Sequence, residues 1–302
     1  MIFSHITTTP GEVTSITQVR DYISSPLALY AALDKPNSLL LESAEIDSKD
    51  SVKSLILVDC ALRIVCQGKT VTVSAQSNNG KQLLPYLRAN VQSCDATLTD
   101  TSLTLVYKGG SNDIDEASKL VADNAFSALR TCINSIKSTT ENPFSVFLGG
   151  VFAYDMLAGF EKLPDVAEGE NDCPDFVFYL AETLITVDHQ TRETHLIGSV
   201  FSGDEVAQQY FAIAQRLEAI HQQLHDMPAQ PVLVNKNAAS QSAQSGQTLS
   251  ATASVQNGQT LSSLDASVDI SDEQFCTHVL DLKQHILAGD IFQVVPSRTF
   301  SL

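Results

Sequence analysis

The segment VFYLAETLITV, Val177 to Val187, is rich in β-branched and aromatic residues. A turn-forming stretch follows it at once, His189 to Arg192, and then a second apolar run, His195 to Phe201. Two strand signals on either side of so short a connection predict antiparallel neighbours, and that commits the chain to an antiparallel sheet. Leu39–Glu42 reads as a buried strand, and Leu55–Val58, Leu103–Tyr107 and Phe144–Tyr154 read as further strands. Ala61–Cys66 is expected to pair with Thr70–Ala75 across Gln67-Gly68-Lys69 as a hairpin.

Helices are interleaved with these strands. Ser25-Pro26 is an N-cap followed by proline at the first helical position, opening a helix through Leu33 that ends before Pro36. Ile114, Ala117, Val121, Ala125, Ala128, Cys132 and Ile136 lie near helical spacing and predict one long amphipathic helix. Val206, Tyr210, Ile213, Leu217, Ile220 and Leu224 mark another, closed by Pro228. The expected class is α+β, with large, mostly antiparallel sheets and packed helices over residues 1–227.

Residues 228–269 differ in character. Asn237 to Leu264 contains no charged residue, is dominated by Ser, Gln, Ala and Thr, and carries GQTLS twice. Such a segment has too little apolar content to fold alone and reads as a linker or surface insertion. A new unit is expected over 270–302. Ser271 and Gln274 form a capping-box pattern, Phe275, Val279, Leu282 and Ile286 repeat at helical spacing, and Gly289 stands where a C-terminal glycine belongs. Ile291–Val295 then reads as a strand carrying one amide, Gln293, on the same face as Ile291 and Val295.

Composition narrows the function classes. With 18 basic and 35 acidic residues the formal charge is −17, which repels phosphate backbones and anionic membranes, so nucleic acid and membrane are not expected partners. No apolar stretch approaches the ~20 residues of a membrane span, and MIFSHITTTPGEV lacks the pattern of a signal peptide. The six cysteines show neither CxxC spacing nor paired histidines, which fits thiols in a reducing cytoplasm. His221 and His225 are four apart on a helix but have no third ligand, so a polar face is the reading rather than zinc. Gly149-Gly150 inside a strand indicates a bulge or a close backbone approach.

Four segments carry a family resemblance: LLLES with the AEIDSKDSVKSLILVDCALRI that follows it, FLGGVFAYDMLAGF (147–160), NDCPDFVFYLAET (171–183) and GDIFQVVPSR (289–298). Together they resemble the chorismate-utilising enzymes and, within them, the large subunit (component I) of anthranilate synthase, across most of residues 25–202 and 270–302. The resemblance implies the anthranilate/aminodeoxychorismate synthase-like fold, here incomplete at the C-terminus. It also implies a lyase of tryptophan biosynthesis that turns chorismate and ammonia into anthranilate and pyruvate with Mg²⁺. A glutamine amidotransferase subunit supplies the ammonia, and tryptophan acts as feedback inhibitor.

Carried over residue by residue, the tryptophan site falls on Glu42, Ser43 and Lys53. Those types suit an amino acid, since a hydroxyl or strand-end carbonyl can accept from the ammonium and a lysine can meet the carboxylate. Adjacent strand residues point to opposite faces, so Ser43 is the side-chain contact and Glu42 contributes through its backbone. Related synthases that use water carry a lysine where Gln293 stands. An amide is no general base, so Gln293 implies ammonia as nucleophile and a role lining the site. The family's magnesium-binding glutamates and catalytic histidine would lie beyond Leu302, so no catalytic residue or metal ligand is assigned and the chain alone is expected to be inactive. The rival readings are an aminodeoxychorismate synthase-like enzyme and a non-catalytic tryptophan-binding module.

Overall fold

The computed structural model describes residues 7–42, 53–107, 123–154, 156, 173–225 and 267–301, and the chain divides into two compact units, Met1–Val234 and Asn235–Leu302. The strands of the first unit are β1 (Glu12–Arg20), β2 (Leu39–Leu41), β3 (Lys53–Gln67), β4 (Thr70–Ala75), β5 (Cys94–Leu98), β6 (Ser102–Tyr107), β7 (Lys137–Ser138), β8 (Leu148–Phe152), β9 (Phe176–Asp188) and β10 (Glu193–Phe201). Its helices are α1 (Pro26–Leu33), α2 (Asn78–Lys81), α3 (Leu83–Asn90), α4 (Ala125–Ser135) and α5 (Val206–His225).

All ten strands join one sheet in the order β5-β6-β4-β3-β9-β10-β1-β7, with β2 added on β3 and β8 on β9. Every ladder is antiparallel except the short parallel one between β1 and β7. The spine is the pair β3–β9, matched from Lys53↔Asp188 to Cys66↔Phe176. Both spine strands change their outer partner midway. On β3, β2 covers Leu55–Leu57 and β4 covers Leu62–Gln67. On β9, β8 covers Phe176–Leu180 and β10 covers Thr183–Asp188. The spine register slips between Leu57 and Leu62, at the level where the partners change.

That gap is closed by side chains and by α2. Gln76 donates its backbone N–H to the Ala61 carbonyl at 2.8 Å, and a Cβ on Gly80 would stand 2.0 Å from that same oxygen, so only glycine lets α2 come so close. Buried Asn79 donates to Glu182 Oε2 (3.0 Å) and to the Ser199 carbonyl (2.9 Å), and accepts from the Phe201 N–H (2.8 Å). Ser77 caps α2 by accepting from the Gly80 N–H and also donates to Glu182.

Spine residues are apolar on both faces because both faces are covered. Ile56, Val58, Ile185, Val187, Leu196 and Val200 meet α1 and α5, while Leu57, Leu184 and Ile197 pack with Leu39, Phe144 and Phe147. On β10 a Cβ at Gly198 would lie 2.4 Å from Ile213 Cγ2, so glycine lets α5 sit tight on the strand. Ile64, Val71, Val73, Leu103 and Leu105 meet α3 and α4 through Leu84, Leu87, Ala128 and Leu129.

The antiparallel α+β class holds, and so does the β9–β10 hairpin around His189–Arg192. Ser25 caps α1, accepting from the Ala28 N–H at 3.4 Å. Gly150 makes the close approach expected of it, since a Cβ there would lie 2.2 Å from the Val177 carbonyl. Several expectations are corrected. Leu55–Val58 and Ala61–Cys66 are one bulged strand, and the hairpin loop is Gly68-Lys69, because Gln67 pairs with Thr70. Leu39–Leu41 is only half-buried, with Leu41 exposed at the rim. The helix ending at Ser135 begins at Ala125, where Asn124 and Ser127 form a capping box, and Ile114, Ala117 and Val121 lie outside the described residues. Of Phe144–Tyr154, only Leu148–Phe152 is strand. Residues 237–264 and Pro228 also lie outside the described residues.

In the second unit α6 (Asp272–Ala288) is capped by the expected Ser271/Gln274 box and ended by Gly289 at φ 83°. Its only ladder among the described residues joins β11 (Ser267–Val268) to β12 (Phe300–Ser301). Ile291–Val295 forms no strand, contrary to expectation: composition permits an extended run, but a strand needs a partner for its backbone groups, and none is described beside it.

Candidate functional site

The sequence points to the end of the spine where β3 begins. Lys53, first residue of β3, stands opposite Asp188, last residue of β9. Its ammonium lies 3.4 Å from Asp188 Oδ2, and its side chain is 44% exposed. Asp188 Oδ1 accepts from the backbone N–H groups of Gln190 and Thr191, each at 2.9 Å. The Thr191 bond foremost, with Gln190 and Lys53 behind it, holds the Asp188 carboxyl below its ordinary range against the opposing pull of burial.

Behind this pair His189 is fixed through both ring nitrogens. Nδ1 is 2.9 Å from the Tyr22 hydroxyl and Nε2 is 2.8 Å from Ser54 Oγ. Hydroxyls donate and accept, so either neutral tautomer is satisfied. The Tyr22 ring meets the His189 ring edge-on at 5.8 Å and carries the Arg192 guanidinium at 4.5 Å from its centre. The backbone N–H of Ile23 donates to Thr194 Oγ1 at 3.1 Å and ties the strand leaving β1 to β10. The spine end is therefore a braced polar rim that carries the Lys53–Asp188 pair.

Of the three predicted tryptophan contacts, the structure brings two to this rim. Leu41 pairs with Leu55, so exposed Glu42 leaves the sheet at the level of Ser54, beside Lys53. Ser43 lies outside the described residues. Gln293 is in the second unit and exposed, not core-facing, and Val295 on the same expected face is 77% exposed. The sequence reading took His189 as a turn residue only and did not single out Tyr22 or Ser54. The available signal was the placement of an aromatic residue just before the Ser25 cap and of a histidine at the hairpin turn.

Among the described residues no group of three or more His, Cys, Asp or Glu side chains could hold a metal ion. None of the six cysteines is in a disulfide, and burial pushes Cys60, Cys66 and Cys132 up to about 12, which leaves them protonated and inert. No described helix is long and apolar enough to cross a membrane.

Residues 85–302 match the family described as chorismate binding enzyme. The chain is 41% identical over 93% of its length to anthranilate synthase component 1 of Vibrio cholerae, covering 49% of that protein. It is 39% identical over 93% of its length to the protein of the same name from Escherichia coli, again covering 49%. A solved structure of anthranilate synthase component I from Streptococcus pneumoniae aligns with 93% of this chain and 48% of its own, at 17% identity and a TM-score of 0.40. The chain thus spans about half the length of the curated relatives it matches.

Proposed function

The chain belongs to the chorismate binding enzyme family, and from that premise we propose that it works as part of the large subunit of an anthranilate synthase. The observation that carries this reading is the 41% identity to a component 1 protein over 93% of the chain. The reaction proposed for the whole enzyme adds ammonia to the ring of chorismate as the 4-hydroxyl leaves, and loss of pyruvate then gives anthranilate. A glutamine amidotransferase subunit supplies the ammonia, and the setting is the cytoplasm. Mg²⁺ belongs to the proposal for the whole enzyme. The described residues offer it no ligand set.

Tryptophan is the proposed feedback inhibitor at the spine end. Lys53 offers an ammonium for the ligand carboxylate, and Glu42 reaches the same rim. The Lys53–Asp188 pair is partly exposed and worth at most ~1 kcal/mol, so a charge-assisted bond to a ligand can replace it at small cost. The chain contains no tryptophan of its own, so anisotropy of added tryptophan reads binding directly. Binding that Ser43→Phe abolishes is the expected result.

The catalytic reading is tested by joining this chain to the part of the Vibrio cholerae relative that it does not cover. With chorismate, ammonium and Mg²⁺ the chimera should form fluorescent anthranilate and be inhibited by tryptophan, while the chain alone should form none. A folded chimera that consumes chorismate without releasing anthranilate would refute the assignment.

A further inference from the structure

Asn79 and Gly80 are chain neighbours for separate structural reasons. Asn79 acts as a peptide group for the edge of β10: its amide donates to the Ser199 carbonyl at 2.9 Å and to Glu182 at 3.0 Å, and it accepts from the Phe201 N–H at 2.8 Å. Gly80 is fixed by space, since a Cβ there would stand 2.0 Å from the Ala61 carbonyl oxygen. Closing the gap in the sheet thus writes Asn-Gly into the chain. That dipeptide carries a chemistry of its own. The glycine nitrogen can attack the asparagine side-chain carbonyl, and glycine has no side chain to hinder the ring closure.

In that reaction a bond forms between Gly80 N and Asn79 Cγ, and the bond from Cγ to Nδ2 breaks. The Gly80 N–H gives its proton to base, the departing nitrogen takes one from water, and ammonia leaves. Water then opens the succinimide ring at one carbonyl or the other, giving aspartate or isoaspartate. The folded chain holds every participant out of position. α2 keeps both residues in helical backbone, which is not the conformation in which the ring closes, and the Gly80 N–H donates to Ser77 Oγ at 3.0 Å. The three bonds on the Asn79 amide pin it to β9 and β10, so Cγ cannot turn onto Gly80 N. Both residues are buried, which keeps base and water away.

We propose that Asn79-Gly80 is a deamidation site guarded by the fold: it reacts only when the α2 level opens, and its product cannot close the gap again. An aspartate is an acceptor only, so the Ser199 carbonyl loses its donor. The new carboxylate also replaces the amide that held Glu182, and sets two like charges against each other in a covered site. Isoaspartate adds a methylene to the main chain just before Gly80, whose fit on Ala61 leaves no slack. An opening that would otherwise be reversible becomes a permanent loss, and the lifetime of the chain is set by how often this level opens. The inference does not rest on the anthranilate synthase reading.

The test incubates the full chain in mildly alkaline buffer, folded in one series and unfolded by guanidinium chloride in the other. Samples taken at intervals are digested, and mass spectrometry reads the exchange of NH₂ for OH at Asn79. Asn257, followed by Gly258, is the chain's other Asn-Gly and calibrates the reaction in the unfolded series. Folded, Asn79 should react more than about tenfold slower than unfolded, because only the open fraction reacts. The Asn79→Asp chain supplies the product directly, and its thermal midpoint should lie roughly 10 °C below that of the wild type, or the chain should not fold. A folded-state rate within about tenfold of the unfolded one would overturn the proposal. So would an Asn79→Asp chain that unfolds at the wild-type midpoint.

Discussion

Asn79→Ala is the perturbation that most directly probes how the sheet is held where its ladders change. β10 loses β9 as a neighbour beyond Gly198, and the Asn79 amide takes over that edge by donating to the Ser199 carbonyl and accepting from the Phe201 N–H. The side chain thus stands in for one peptide group of a missing strand. Alanine leaves two buried backbone groups unpaired at ~1–3 kcal/mol each and removes a bond to a carboxylate worth ~1.5–3 kcal/mol. The sum is about 3.5–9 kcal/mol, against the ~5–15 kcal/mol that holds a typical domain folded. Local relaxation reduces it, and a loss of about 3 kcal/mol or more is expected, with a fall of roughly 10 °C in the midpoint. Urea unfolding followed by circular dichroism measures the first quantity, and amide exchange at Phe201 localises the cause. A loss below about 1 kcal/mol, with Phe201 still protected, would show that the Asn79 bonds are not what closes the gap.

Three further outcomes follow from the same geometry. Glu182 has its folded-state pKa raised above the ordinary 4.5, so the folded chain binds more protons than the unfolded one just above pH 4.5. Stability therefore falls as pH rises through the raised value, and Glu182→Gln, which keeps an acceptor for Ser77 and Asn79, should flatten that decline in a pH series of urea midpoints. Gly80→Ala sets a Cβ 2.0 Å from the Ala61 carbonyl, so α2 must retreat, and about 1–3 kcal/mol should be lost in the same assay. Lys53→Ala removes a partly exposed ion pair and should change stability by less than about 1 kcal/mol, while weakening tryptophan binding in the anisotropy assay.

Legibility in the sequence followed the range of the information. The caps at Ser25, Ser271 and Gly289 are written within a few residues and were all read correctly, as was the β9–β10 hairpin with its four-residue turn. β1, with the mixed wording EVTSITQVR, gave no clean alternation and was missed, though it pairs with β10 along eight positions. Leu55–Val58 and Ala61–Cys66 read as two separate strands. The structure keeps the strand and bends it instead. Ile291–Val295 has strand composition, yet it forms no ladder with any described residue, because pairing depends on residues that no local pattern names. Of the candidate site, Lys53 and Glu42 were legible through resemblance; Tyr22, Ser54 and His189, which brace it, converge from three separate segments.

The same reasoning explains why Asp59 and Glu182 sit in strands that are otherwise apolar. A sheet that keeps one spine but exchanges outer partners must leave backbone groups unpaired at the exchange, and water cannot reach them in a covered core. Side chains with donors and acceptors have to supply what the absent strands would have given, as Asn79 does for β10. Carboxylates in such a place must in turn be held, Glu182 by Ser77 and Asn79, Asp59 by Arg216 and Thr183. The architecture of the sheet thus concentrates hydrogen-bonding side chains at one level of the spine, where Asn79, Glu182 and Asp59 answer for strands that end there.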